Sequence, residues 1–158
     1  MFRLLLEGTE PRKLDKLGKS FGFPVGPVTL TDEVGIDIGA HIGEYLQKCF
    51  GERFAAVNPE VLNTLVNAGI TGSSTFSANF ERVSHLFLFF IQGRKSGKGF
   101  FVYEKGSKGE RPVCKEAIDV LKRFSLVPKG LQSDEDIQFR LASRFINEVH
   151  EFPELLIS

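Results

Sequence analysis

The stretch Phe21-Gly22-Phe23-Pro24-Val25-Gly26-Pro27, running on into Val28-Thr29-Leu30-Thr31-Asp32-Glu33-Val34-Gly35, decides how this chain is read. It sets two prolines and three glycines among apolar residues and then opens into a helical pattern. Pro27 suits the first turn of that helix, where a missing N–H costs nothing. Gly22 and Gly26 allow a close approach that a Cβ would block. A second compact run lies downstream, Gly93-Arg94-Lys95-Ser96-Gly97-Lys98-Gly99-Phe100-Phe101-Val102-Tyr103. Either run alone is weak; the two in this order are specific.

Working outward, Met1 to Gly8 reads as the closing turns of a helix stopped by Gly8, with an apolar run too short for a signal peptide. Residues 11–20 have helical character, with Leu14 and Leu17 on one face. Asp37 to Phe50 is the strongest helix, with Ile38, Ile42, Tyr45, Leu46, Cys49 and Phe50 in one apolar stripe expected to face the core. Asn58-Pro59-Glu60 caps a short amphipathic helix carrying Val61, Leu62, Leu65 and Val66 and ending at Gly69. Phe100 to Tyr103 reads as extended. Cys114 to Phe124 is helical, with Ile118, Leu121 and Phe124 inward. Ser133-Asp134-Glu135-Asp136 is an N-cap with an acidic first turn, opening a helix through Ile137, Leu141, Phe145 and Val149. The expected fold is all-α, a helical bundle of four or five helices around one core, with a short extended segment near 100–103.

Bulk properties narrow the function. The 158 residues have a formal net charge of +0, so nothing global points to nucleic acid. Apolar content of 42% and charged content of 25% are those of a globular domain. Cys49 and Cys114 have no CxxC spacing, and His41, His85 and His150 no ligand spacing to them, so neither a disulfide framework nor a metal site is expected. His41, on the edge of the apolar stripe, reads as a packed or half-exposed histidine. Glu81 and His85 lie four apart, but that spacing is common by chance. Arg94, Lys95 and Lys98 could favour a phosphate, yet the spacing is not a Walker A motif, and a tight solvated turn is the better reading.

These residues resemble the C-terminal helical domain of the 3-hydroxyacyl-CoA dehydrogenase family, with the alpha subunit of the mitochondrial trifunctional enzyme as the nearest likeness. The resemblance rests on Glu7-Gly8 with Pro11-Arg12-Lys13-Leu14-Asp15, the elbow from Phe21 to Gly35, Phe50 to Phe54, Asn58-Pro59-Glu60, Gly93 to Phe101, and Asp134 to Arg140. It implies the substrate side of an NAD-dependent oxidation of 3-hydroxyacyl-CoA in fatty-acid β-oxidation. It also implies a mitochondrial location and a homo-oligomer or an assembly with a thiolase subunit; membrane association stays open. In that family a Rossmann domain holds NAD, and a histidine base, its glutamate partner and a supporting asparagine do the chemistry. Those positions have no counterpart in this sequence, and it contains no GxGxxG. No catalytic, cofactor-binding or metal-binding residue is therefore expected, and the chain alone is expected to be inactive. Phe23, Pro24, Gly26 and Pro27 are the candidate substrate-binding residues, lining the acyl side of the cleft, with plain helix packing as the other reading. The alternative function is a stand-alone helical binding or assembly module.

Two departures from the family pattern stand out. Residues 73–92 form an anomalous insertion, ending in the apolar run Leu86-Phe87-Leu88-Phe89-Phe90-Ile91-Gln92. A retained intron and a genuine inserted element are its two readings. Phe145-Ile146-Asn147-Glu148 then resembles the start of a second, repeated domain, with Asn147 at the counterpart of the family asparagine, before Pro153 departs from it. The expected organisation is a domain over 1–126 that lacks its first helix, a linker over 127–132, and the start of an incomplete second copy over 133–158.

Overall fold

The computed structural model describes residues 1–51, 58–72, 97–104, 110–130, 132–143 and 146. Seven helices lie among them: α1 (Phe2–Leu6), α2 (Pro11–Phe21), α3 (Pro27–Val34), α4 (Ile36–Phe50), α5 (Pro59–Asn67), α6 (Lys115–Arg123) and α7 (residues 134–143). The described residues contain no strand longer than an isolated bridge. The all-α expectation holds; six helices lie among the described residues up to Arg123, against the four or five expected.

Helix starts follow local chemistry. Pro11, Pro27 and Pro59 each occupy the first turn of their helices, where no intrahelical partner is lost. The Asn58 side chain accepts from the Glu60 amide at 3.0 Å, and Ser133 Oγ from the Asp136 amide at 3.1 Å. Two glycines make the turn from α2 into α3. Gly22 ends α2 at φ 123°, a conformation that other residues reach only with strain. Gly26 is needed for space, because a Cβ there would overlap the Asp15 carboxylate.

One core joins the elements. Leu4, Leu5 and Leu6 of α1 meet Leu14 and Leu17 of α2, Val28 of α3, Ile36 of α4, Val61 and Leu65 of α5, and Ala117 and Leu121 of α6. Among the described residues Phe100 is the largest fully buried side chain, worth about 2–3 kcal/mol in transfer free energy. Its ring lies 6.0 Å from that of Phe2 at 58°. The extended segment holds Phe100 there. Antiparallel bridges join Gly72 to Lys98, Lys98 to Val102 and Phe101 to Val113, and the Cys114 amide donates to Phe100 O at 2.8 Å. In α6, Leu121 is buried as expected, with Ile118 and Phe124 packed partly buried against the core.

The expectation for α4 requires correction. Its core-facing residues are Ile36 and Ala40, not the long apolar stripe. Ile42 is 46% and Tyr45 68% exposed, and Cys49 is exposed. The periodicity is genuine, but at 100° per residue the stripe falls on the side away from Ile36 and Ala40. His41 is likewise exposed.

Candidate functional site

The site is built around α3, whose two ends are each held by a buried aspartate. Asp15 projects from α2 onto the first turn of α3. Its Oδ1 accepts from the Val28 amide at 2.7 Å and from the Thr29 amide at 3.3 Å, and its Oδ2 accepts from the Thr29 hydroxyl. The carboxylate thus answers the free amides and positive end of the helix. At the other end Asp32 has no exposed surface. It accepts from the Phe100 amide at 2.8 Å, the Phe101 amide at 2.9 Å and the Tyr103 hydroxyl at 3.1 Å. Burial pushes the Asp32 carboxyl up to about 6, against the pull of those three donors. Tyr103 is pushed up as well, by burial and then by the Asp32 charge. Arg111 stands 4.6 Å over the Tyr103 ring.

Between the two aspartates and α2 the elbow turns outward. Phe21 and Phe23 stack at 5.8 Å and 30°, Pro24 is exposed, and Leu30 is half exposed on α3. The four sequence candidates therefore divide. Phe23 and Pro24 belong to an apolar ridge at the surface, whereas Gly26 and Pro27 form the start of α3. Gly18 of α2 lies so close beneath that a Cβ on it would meet Pro27 Cδ at 2.7 Å.

A third buried carboxylate ties the last described helix to the first. The Glu7 side chain has no exposed surface. Arg140 of α7 grips it with two bonds, 2.7 Å to Oε2 and 2.9 Å to Oε1. Arg3 adds 3.0 Å and Gln132 3.2 Å. Hydrogen bonding from Arg140 outweighs desolvation and holds the Glu7 carboxyl at about 2. Gln138 of α7 donates to Leu17 O at 3.1 Å and to Ser20 Oγ at 2.7 Å, and Ile137 enters the core.

Sequence reasoning missed Asp15, Asp32 and the Glu7–Arg140 pair. Asp15 carried a signal, since it sits on the apolar face of α2 beside Leu14 and Gly18, where a carboxylate must have a partner. Lys98 pairs with Glu116 at 3.1 Å. Arg94, Lys95, Glu81, His85, Phe145, Asn147, Val149 and the whole 73–92 insertion lie outside the described residues. Among the described residues no group of three His, Cys, Asp or Glu could hold a metal, and no helix is long and apolar enough to cross a membrane.

The described residues do not fit a dinucleotide. A pyrophosphate needs a helix N-terminus with free amides and no competing negative charge. Each described helix of eight residues or more carries an acidic group there: Glu10 at the α2 N-cap, Asp15 on α3, Asp37, Glu60 and Glu116 in the first turns of α4, α5 and α6, and Asp134 to Asp136 on α7.

The family model described as 3-hydroxyacyl-CoA dehydrogenase, C-terminal domain, matches residues 1–82. The fatty acid oxidation complex subunit alpha of Vibrio parahaemolyticus is 41% identical over 145 residues, covering 92% of this chain and 16% of that protein. The subunit of the same name from Shewanella sp. strain MR-4 is 43% identical over 117 residues, covering 74% of this chain and 13% of that protein. That from Vibrio cholerae is 38% identical over 146 residues, covering 92% and 17%. The chain spans about one sixth of the length of these curated relatives. They are alpha subunits, but bacterial ones. The mitochondrial location implied by the sequence resemblance is corrected accordingly, because these relatives come from cells without that organelle.

Proposed function

The chain belongs to the family of the 3-hydroxyacyl-CoA dehydrogenase C-terminal domain, and from that premise we propose that it is the substrate-side and dimerisation domain of an NAD-dependent 3-hydroxyacyl-CoA dehydrogenase of fatty-acid oxidation. The observation that supports the substrate side is the exposed apolar ridge at the elbow, where Phe21, Phe23, Pro24 and Leu30 offer an acyl chain an apolar wall. Gly26 and Pro27 act beneath it, fixing the angle at which α3 presents that wall. We assign the nucleotide and the proton-transfer groups to another part of the enzyme, since the N-termini of α2 to α7 each carry an acidic group. On this reading the chain alone does not oxidise substrate.

The proposed organisation places the domain over 1–126 and the opening of a second copy from 133, joined by the linker. The Glu7–Arg140 clamp and the buried Ile137 support a firm seat for that second copy. The relatives are named as subunits of a fatty acid oxidation complex, and we extend this to assembly with a further subunit, a thiolase by family resemblance.

The test follows NADH absorbance with NAD and a series of 3-hydroxyacyl-CoA thioesters. The chain alone is expected to form none. Supplied together with a separately purified nucleotide-binding half of a family dehydrogenase, it is expected to restore turnover, with Phe23→Ala raising KM more for long acyl chains than for short ones. Turnover by the repurified chain alone, or no gain in the mixture, would overturn the proposal.

A further inference from the structure

We propose that the exposed face of α2 is a binding site for a phosphomonoester, the dianionic end group of a nucleoside monophosphate or of a larger phosphorylated carrier. Arg12, Lys16 and Lys19 fall at i, i+4 and i+7, which sets three cations on one side of the helix over about 10 Å. They line a broad hollow of about 1040 Å³, large enough for a nucleotide-sized molecule. Thr29 of α3, Arg111 and Gln138 of α7 stand on its other sides.

The charges around this hollow are unevenly answered. Lys13 pairs with Asp134 at 2.7 Å, and the Asp15 carboxylate is held by the first amides of α3. Lys16 and Lys19 are exposed and have no ion-pair partner among the described residues. Arg12 is paired only loosely, 3.8 Å from a Glu110 that is 80% exposed, and its Nε is enclosed without a hydrogen-bond partner among the described residues. Its Nη2 donates to Arg111 O at 3.0 Å, which fixes the guanidinium at the side of the hollow. Glu10, the remaining acid, stands at the N-cap, the far end of α2 from Lys19. Two free lysines one turn apart suit a compact anion of charge near −2, which ammonium groups grip as point charges. The pyrophosphate of a dinucleotide divides its charge between two phosphates and draws on helix-end amides, which this face does not offer.

Titration calorimetry on the full chain at low ionic strength tests the site with two pairs of probes, each pair differing by one phosphomonoester. Adenosine 5′-monophosphate is set against adenosine, and coenzyme A against dephospho-coenzyme A. In at least one pair the phosphorylated member is expected to bind at a single site at least about tenfold more tightly, and the pair that responds identifies a free nucleotide or a carrier as the source. Lys16→Gln with Lys19→Gln is expected to weaken that binding at least about tenfold while leaving the thermal midpoint unchanged, since both side chains are exposed. Lys13→Gln, whose ammonium belongs to Asp134, is expected to weaken it less than about threefold. No preference for the phosphomonoester in either pair at millimolar ligand, a double variant that binds as the unmodified chain does, or a Lys13→Gln loss as large as the double variant's would each overturn the proposal. NADH formation reads the acyl wall separately, so the two proposals fail independently.

Discussion

Replacing Glu7 by Gln removes the charge from the most enclosed ion pair among the described residues while keeping the side chain's shape. Glu7 has no exposed side-chain surface and Arg140 is 22% exposed, so water cannot fully compensate the guanidinium left behind. Arg140, Arg3 and Gln132 all donate to the carboxylate. Its drop from 4.5 to about 2 corresponds to about 3 kcal/mol of preference for the charged form in the folded chain. The folded value lies below the unfolded one, so this stability is complete above pH 4.5 and is lost as pH falls through about 2. Urea unfolding of both forms is expected to show Glu7→Gln less stable by about 3 kcal/mol at pH 7. The difference is expected to shrink below pH 4.5 and nearly vanish by pH 2, where the unmodified Glu7 is itself protonated. Hydrogen exchange is expected to show the loss first in residues 134–143, which the clamp seats on α1 and α2. A difference under about 0.5 kcal/mol at pH 7, or one equally large at pH 2, would refute the reasoning.

Asp32 behaves with the opposite sign. Its folded carboxyl is raised from 3.8 to about 6, so its contribution is complete below pH 3.8 and declines as pH rises through 6; carboxyl NMR should place its midpoint near 6, and a midpoint near 3.8 would contradict the burial argument. Asp32→Ala leaves the Phe100 and Phe101 amides unanswered inside the core and is expected to cost at least about 2 kcal/mol in urea unfolding, a loss under about 0.5 kcal/mol speaking against the latch. Gly26→Ala sets a methyl on the Asp15 carboxylate and is expected to destabilise by about 2 kcal/mol, with unchanged stability showing that the elbow relaxes freely.

Most of the helix boundaries were legible because they depend on neighbouring residues. Proline at the first turn of α2, α3 and α5, Asn58 and Ser133 at their caps, and Gly22 at the end of α2 all act within a few positions. The orientation of α4 was not legible. Apolar spacing shows that a face is covered, and it is silent on whether this fold or a second chain covers it. The site was legible in half. Glycine and proline marked the elbow, yet the sequence could not separate Phe23 and Pro24 on its surface from Gly26 and Pro27 beneath. The three buried carboxylates were hidden because their partners are remote: Asp32 bonds to Phe100 and Phe101, and Glu7 to Arg140. A carboxylate's need for a partner can be read from its setting among apolar residues; which amide or guanidinium supplies it is decided only by packing.

The claim at the centre of this account is that a dehydrogenase's helical domain is present without the surface that holds its nucleotide. Titration calorimetry of the full chain with NAD addresses it most directly. No saturable heat up to millimolar nucleotide is expected, because the N-termini of α2 to α7 each carry an acidic group. Stoichiometric binding in the micromolar range would contradict it.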